Sequence, residues 1–268
     1  MSRFKVFLEY EGTRYSGWQV QTGQTGTRTV QGEIMGVLRK IFKTGEFEFY
    51  GAGRTDSGVH ALLQVAHLDV KTMLAPEIIK MRINDELPAD INIIEVEKAP
   101  AQFHARHDAV ARSYLYQISR RRTALGKRFV WWIKDTLDIE MMQRASQSFV
   151  WMKNLQSFTA DDPEEKSTKV LIESIELQEA GDLILIRISG SHFLWKLIRR
   201  IVGVMVEAGR GKLPVEQIDR YFRGLSDEPS RMTAPPSGLF LERVYYSGDR
   251  RLQSLEPVIN IRTTLRTK

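Results

Sequence analysis

Two stretches of the chain repeat one order of hydrophobic periodicities without repeating any sequence. Phe4 to Tyr10 alternates apolar and polar residues, as a half-buried strand does. Val30 to Phe42 then places Ile34, Val37, Leu38 and Ile41 on one helical face, and Glu46 to Tyr50 and Leu62 to Val70 return to strand patterning. Pro76 opens a short helix at a position where its missing amide hydrogen costs nothing. That helix stops near Leu87-Pro88, and Ile91 to Val96 is strand-like again. The order is β-α-β-β-α-β, a ferredoxin-like unit. The second half repeats it. Ser113 to Arg120 is a strand, and Ile139 to Trp151 is a helix with Asp138 as its N-cap. Val170 to Gln178 and Leu183 to Ser189 form a hairpin around Glu179 to Asp182, and Leu194 to Ala208 is a helix ended by Gly209. Pro214 starts an extra helix and Leu239 to Tyr246 closes the set.

The expected class is therefore α+β: two ferredoxin-like halves forming a broad antiparallel sheet, with helices on one face and a central cleft. The boundary falls within Pro100 to Arg112, giving halves at 1–105 and 106–247 and a tail at 248–268.

Composition limits the chemistry. With no cysteine, disulfides, thiol nucleophiles and cysteine-ligated metal sites are excluded. No apolar run reaches the roughly 18 residues of a membrane span. The start runs straight into a polar-apolar alternation with no leader pattern, so a soluble cytoplasmic protein without a membrane partner is expected. The 39 basic and 33 acidic residues leave a net charge of +6, which suits a polyanionic partner. From Ala109 to Lys134 there is no acid, while Arg112, Arg120, Arg121, Arg122, Lys127, Arg128 and Lys134 alternate with Tyr114, Tyr116, Trp131 and Trp132. Such a stretch can grip phosphates and stack on unpaired bases, or be a solvated basic edge. Composition leaves both readings open.

The segment richest in chemistry is Tyr50 to Ala61, a connection between two strands with Gly51, Gly53 and Gly58. These glycines permit sharp turning and close approach of a substrate. Arg54 and Asp56 lie between them, and a carboxylate on such a loop suits a nucleophile or general base. The alternative is a hairpin loop in which Asp56 caps a turn and Arg54 is solvated. The loop lacks the third glycine and following helix of a dinucleotide fingerprint, and the chain has no Walker loop and no Gly-x-Ser-x-Gly elbow. His60, His67, His104 and His107 are read as hydrogen-bonding residues, with no metal ligated.

Gly53-Arg54-Thr55-Asp56-Ser57-Gly58-Val59-His60-Ala61 resembles the active-site signature of the TruA family of tRNA pseudouridine synthases. Further blocks match in order: Tyr15 to Gln19 with Thr29 to Gly32, Asn84 to Ile91, Phe103 to Arg106, Arg112 to Tyr116, Phe193-Leu194 with Ile198 to Gly203, and Ala234 to Leu239. The resemblance covers roughly residues 4 to 246.

It implies an isomerase that cleaves uracil from its ribose, rotates it and rejoins it through carbon, with no cofactor and no metal. The substrate is a tRNA, in its anticodon stem-loop, and members pair as homodimers. Asp56 takes the nucleophile position, Tyr114 stacks on the target base, Arg199 pairs with Asp56, and Arg54 helps hold the extruded nucleotide. These roles suit the reaction. Glycosidic cleavage builds positive charge on the ribose that a carboxylate stabilises or attacks, a paired arginine favours the charged carboxylate, and extruding a base costs a few kcal/mol. Tyr116, alternating with Tyr114, is expected in the core.

The chain departs from the family pattern at two places. Lys196-Leu197 stands where many members have His-Met, and Asp161 to Glu165 places acids where many carry basic residues. Acids repel phosphate, which motivates a synthase with a different RNA target as the alternative, beside a non-catalytic RNA-binding protein of the same fold. Arg250, Arg251, Arg262, Arg266 and Lys268 in the tail are expected to be solvated.

Overall fold

A computed structural model describes residues 1–21, 26–43, 45–161 and 167–261. The chain divides into two compact units, Met1–Val110 with Phe240–Arg250, and Ala111–Leu239 with Arg251–Lys268.

The first unit carries β1 (Ser2–Tyr10), α1 (Val30–Phe42), β2 (Phe47–Gly51), β3 (His60–Val70), α2 (Pro76–Glu86) and β4 (Ile91–Lys98). β1 lies between β3 and β4, and β2 pairs with the other edge of β3, all antiparallel. The resulting order β4-β1-β3-β2 is the one a β-α-β-β-α-β chain produces. Alternation along β1 buries Phe4, Val6, Leu8 and Tyr10, and the apolar stripe of α1 buries Val30, Ile34, Val37 and Leu38. Thr29 caps α1 by accepting a hydrogen bond from the Gly32 amide at 3.2 Å. α2 packs on β4 and against α1 through Ile79 and Ile83.

The second unit contains β5 (Ala111–Ser119), β6 (Trp131–Trp132), α3 (Ile139–Gln147), β7 (Trp151–Asn154), β8 (Lys169–Ala180), β9 (Leu183–Gly190), α4 (Leu197–Gly209), α5 (Val215–Arg223) and α6 (Glu228–Arg231). β7, β8, β9 and β5 form an antiparallel ladder in that order, and β6 adds a short parallel pairing to β5. Asp138 caps α3, accepting from the Met141 amide at 3.0 Å, as expected. α3 packs on α4, and a side chain at Gly209 would start 2.6 Å from Met142 Cγ. The last strand, β10 (Leu239–Tyr245), runs into the first unit and pairs parallel with β3 through Phe240 and Leu241.

Three local expectations change. α3 ends at Gln147 rather than Trp151: the amides of Ser148, Phe149 and Val150 close onto carbonyls only three residues back, and Trp151, left-handed at φ 77°, opens β7, a strand with no mark in the sequence periodicity. α4 begins at Leu197 rather than Leu194, because Lys196 is left-handed (φ 62°). The tail is not uniformly solvated. Arg251 makes a two-armed ion pair with Glu173 at 3.0 Å per arm, Leu255 and Ile261 are buried, and the Val258 amide donates to Gln117 at 2.7 Å. Arg250 is exposed, and Arg262, Arg266 and Lys268 lie outside the described residues. Among the described residues no helix is long and apolar enough to cross a membrane.

Candidate active site

The loop between β2 and β3 is held in place by the segment that follows β1. The Trp18 amide donates to the Thr55 carbonyl at 3.1 Å, and the buried hydroxyls of Tyr10 and Thr55 share a 2.8 Å hydrogen bond. The Tyr15 carbonyl accepts from the Gly58 amide at 3.3 Å and from the Ser57 hydroxyl at 3.2 Å. Gln64 reaches from β3 to the Gly53 carbonyl at 3.0 Å, and the Asp56 carbonyl accepts from the Val59 amide at 3.1 Å. Both peptide carbonyls flanking the Asp56 side chain are therefore engaged. Asp56 itself is half-buried on this fixed backbone and Arg54 is exposed. A carboxylate positioned this way needs little reorganisation before it reacts.

The clamping segment is itself anchored. Tyr15 donates its hydroxyl to Asp90, and burial first, then that hydrogen bond, pushes the phenol well above its ordinary range. The Gly12 amide donates to His60 Nδ1 at 3.0 Å, and the His60 ring stacks on Phe240 at 4.8 Å. A side chain at Gly12 would start 1.9 Å from the Val59 carbonyl oxygen. In the sequence, Tyr15 to Gln19 is a block without a visible task. Its task is to hold the loop, and only the family resemblance signalled it.

In the second unit, Tyr114 lies on β5, buried, with its ring edge-on to Phe193 at 5.2 Å. Tyr116, two residues on, is fully buried and donates to the Pro235 carbonyl at 2.8 Å. Burial holds its phenol far above the usual value. Tyr116 is thus a core residue, as expected. Arg199, half-buried on α4, donates from Nε to the Ala234 carbonyl at 2.7 Å while the Ala234 amide donates back to the Arg199 carbonyl at 3.0 Å. Arg200 turns inward to the carbonyls of Ser157 and Thr159, and burial lowers its affinity for its proton. The adjacent arginines thus have different surroundings. Arg54 and Asp56 share a loop of the first unit; Tyr114 and Arg199 belong to the second.

The basic stretch divides between structural and exposed cations. Arg112 donates to the Ser191 carbonyl at 2.9 Å, Arg120 pairs with Glu179, and Arg121 pairs with Asp182 at 2.8 Å. Arg122, Lys127, Arg128 and Lys134 are exposed, with Arg122 lying 5.9 Å from the centre of the half-exposed Trp132 ring. Of the acidic loop, 162–165 lies outside the described residues. Asp161 accepts hydrogen bonds from the Trp195 amide at 2.8 Å and from the Thr159 hydroxyl at 3.2 Å.

His67 accepts the Ala105 amide at 3.2 Å, and burial, aided by the fields of His104 and Arg3, pushes it down to about 4. His104 accepts from the amides of Arg106 and His107. Among the described residues no group of three or more histidines and carboxylates is arranged to hold a metal.

A family model described as tRNA pseudouridine synthase matches residues 6–108 and 145–247. The chain belongs to this family. The matched segments include the Asp56 loop and α4. Tyr114 falls between them, so its place rests on the resemblance of Arg112 to Tyr116. Relatives support the same membership over nearly full length. A tRNA pseudouridine synthase A of Halalkalibacterium halodurans is 34% identical, covering 91% of this chain and 92% of the relative. One of Geobacter sp. (strain M21) is 36% identical over 92% of this chain and 99% of the relative, and one of Citrifermentans bemidjiense is 37% identical over 92% and 98%.

Proposed function

We propose that this chain is a tRNA pseudouridine synthase that uses Asp56 as its nucleophile. Family membership supplies the reaction. The observation that supports the residue is the clamped loop, which fixes the peptide on both sides of one half-buried carboxylate.

The reaction balances within the substrate. The bond from the ribose anomeric carbon to uracil N1 breaks, the base turns, and a new bond forms from the same sugar carbon to uracil C5. The hydrogen leaves C5 and N1 gains one. Asp56 supplies the negative charge or nucleophile that the electron-poor intermediate needs. Tyr114 stacks on the base and serves as the proton-transfer group at C5. Arg199 is the cation that pairs with the catalytic carboxylate, and Arg54 holds the extruded nucleotide by its phosphate.

The substrate in this reading is the anticodon stem-loop of a tRNA, and the active form is a cytoplasmic homodimer without cofactor or metal. The test is incubation with transcribed tRNA labelled with tritium at uracil C5, followed by mapping of the product. Release of tritium with pseudouridine confined to the anticodon stem-loop is expected. No release, or product only in another arm, overturns the activity or the target respectively.

A further inference from the structure

The loop from Ser191 to Lys196, between β9 and α4, carries a feature that the catalytic reading leaves unused. Trp195 is half exposed, at 51%, yet its main chain is held at both its amide and its carbonyl. Its amide donates to Asp161 at 2.8 Å, and its carbonyl accepts from the Ala160 amide at 3.2 Å. Arg200 holds the stretch just before those partners through the carbonyls of Ser157 and Thr159. An indole on so rigid a base loses little conformational freedom on binding.

Lys196 adds a cation. Its backbone is left-handed at φ 62°, a conformation that costs a side-chain-bearing residue. Its ammonium lies 4.7 Å from the centre of the Trp195 ring. It also stands immediately before α4, at the end where the helix dipole disfavours positive charge. An exposed indole, a strained lysine and a cation on the wrong end of a helix each oppose stability. Together they put an exposed indole and an ammonium side by side on one loop. The same loop places Phe193 against Tyr114, so the residue proposed to hold the target base and this indole share one support.

Resting on the tRNA reading above, we propose that Trp195 is a stacking platform for a second, unpaired base of the tRNA, with Lys196 on the adjoining phosphate. Aromatic platforms of this kind accept any base, so Trp195 contributes affinity and placement of the loop, and sequence preference lies elsewhere. Lys196 contributes one salt-dependent phosphate contact.

The test is filter binding of unmodified tRNA, over a range of salt, to the full-length protein and its Trp195→Ala, Trp195→Phe and Lys196→Ala variants, each checked for folding by circular dichroism. Trp195→Ala is expected to weaken binding by about 5- to 150-fold, the range for a base-stacking aromatic, and Trp195→Phe to recover most of it. Lys196→Ala should make the logarithmic salt slope shallower by about one. Wild-type affinity for Trp195→Ala, or a phenylalanine variant as weak as alanine, overturns the platform. Tritium release by the wild type is measured on the same samples. If release occurs and Trp195→Ala binds normally, the platform alone fails. If the wild type binds tRNA without release and Trp195→Ala still weakens it, the catalytic reading fails and the platform stands. A wild type that binds no tRNA overturns both.

Discussion

Replacing Gly17 by alanine probes the clamp without touching a catalytic group. Gly17 sits at φ +93°, and a Cβ there would start 2.6 Å from the Thr55 carbonyl oxygen and 3.3 Å from both the Asp56 carbonyl carbon and the Ser57 amide. The first distance is about 0.8 Å short of the 3.4 Å where ordinary contact begins. Gly26 is a matched control, at φ +90° with nothing within 4 Å of the same added atom. Both variants carry the left-handed cost of about 1–2 kcal/mol, and only Gly17→Ala adds an overpacking term of about 1–3 kcal/mol. Its collision is relieved by pushing back the peptide before Asp56, which lengthens the Trp18-to-Thr55 hydrogen bond. A misplacement on the order of 1 Å costs about a hundredfold in rate. Urea unfolding and tritium release on the two variants separate the effects. Gly26→Ala should lose stability alone, and Gly17→Ala about 1–3 kcal/mol more together with about two decades of turnover. Equal stability losses with full turnover at Gly17→Ala would refute the clamp.

Tyr114→Phe keeps the ring and removes the hydroxyl, so tRNA affinity should hold within about twofold while turnover falls about 10²- to 10⁴-fold; wild-type turnover would leave Tyr114 with stacking alone. His67 titrates near 4 in the folded chain against about 6.5 when unfolded. As pH falls, the unfolded chain takes up the proton first, so this stability contribution is complete above about 6.5 and is lost toward 4, at up to about 1.4 kcal/mol per pH unit. His67→Gln should flatten the fall of the urea midpoint across that window, and an unchanged slope would contradict the assignment. Deleting the chain from Arg251 onward removes the Ser254 carbonyl that buried Arg187 reaches at 2.5 Å and the Val258 amide that Gln117 accepts at 2.7 Å. About 2–4 kcal/mol of stability should go with them, and a truncated protein with a wild-type melting temperature would refute that.

The repeated strand and helix order was legible because each element buries one face, and burial writes its period into the sequence. β7 was not, because Trp151-Met152-Lys153-Asn154 has no internal face to alternate: Trp151 and Met152 are both exposed and pairing to β8 alone makes it a strand. Periodicity likewise ran α4 back to Leu194, since a single left-handed residue at 196 leaves no mark on hydrophobic spacing. Residue types on the glycine-framed loop singled out Arg54 and Asp56, while the roles proposed for Tyr114 and Arg199 rest on the family resemblance alone. The clamp was hidden, because Gly12, Tyr15 and Gly17 act through backbone groups from some forty residues away. The tail misled for the opposite reason: arginines that read as solvated include Arg251, which is held by Glu173.

The central claim is that one carboxylate, Asp56, performs the isomerisation. Asp56→Asn keeps the size of the side chain and removes its charge. Single-turnover tritium release from tRNA labelled at uracil C5 should fall to background in this variant, while filter binding shows tRNA held as tightly as by the wild type. Release at the wild-type rate by Asp56→Asn would contradict the account, whatever the fold and the family.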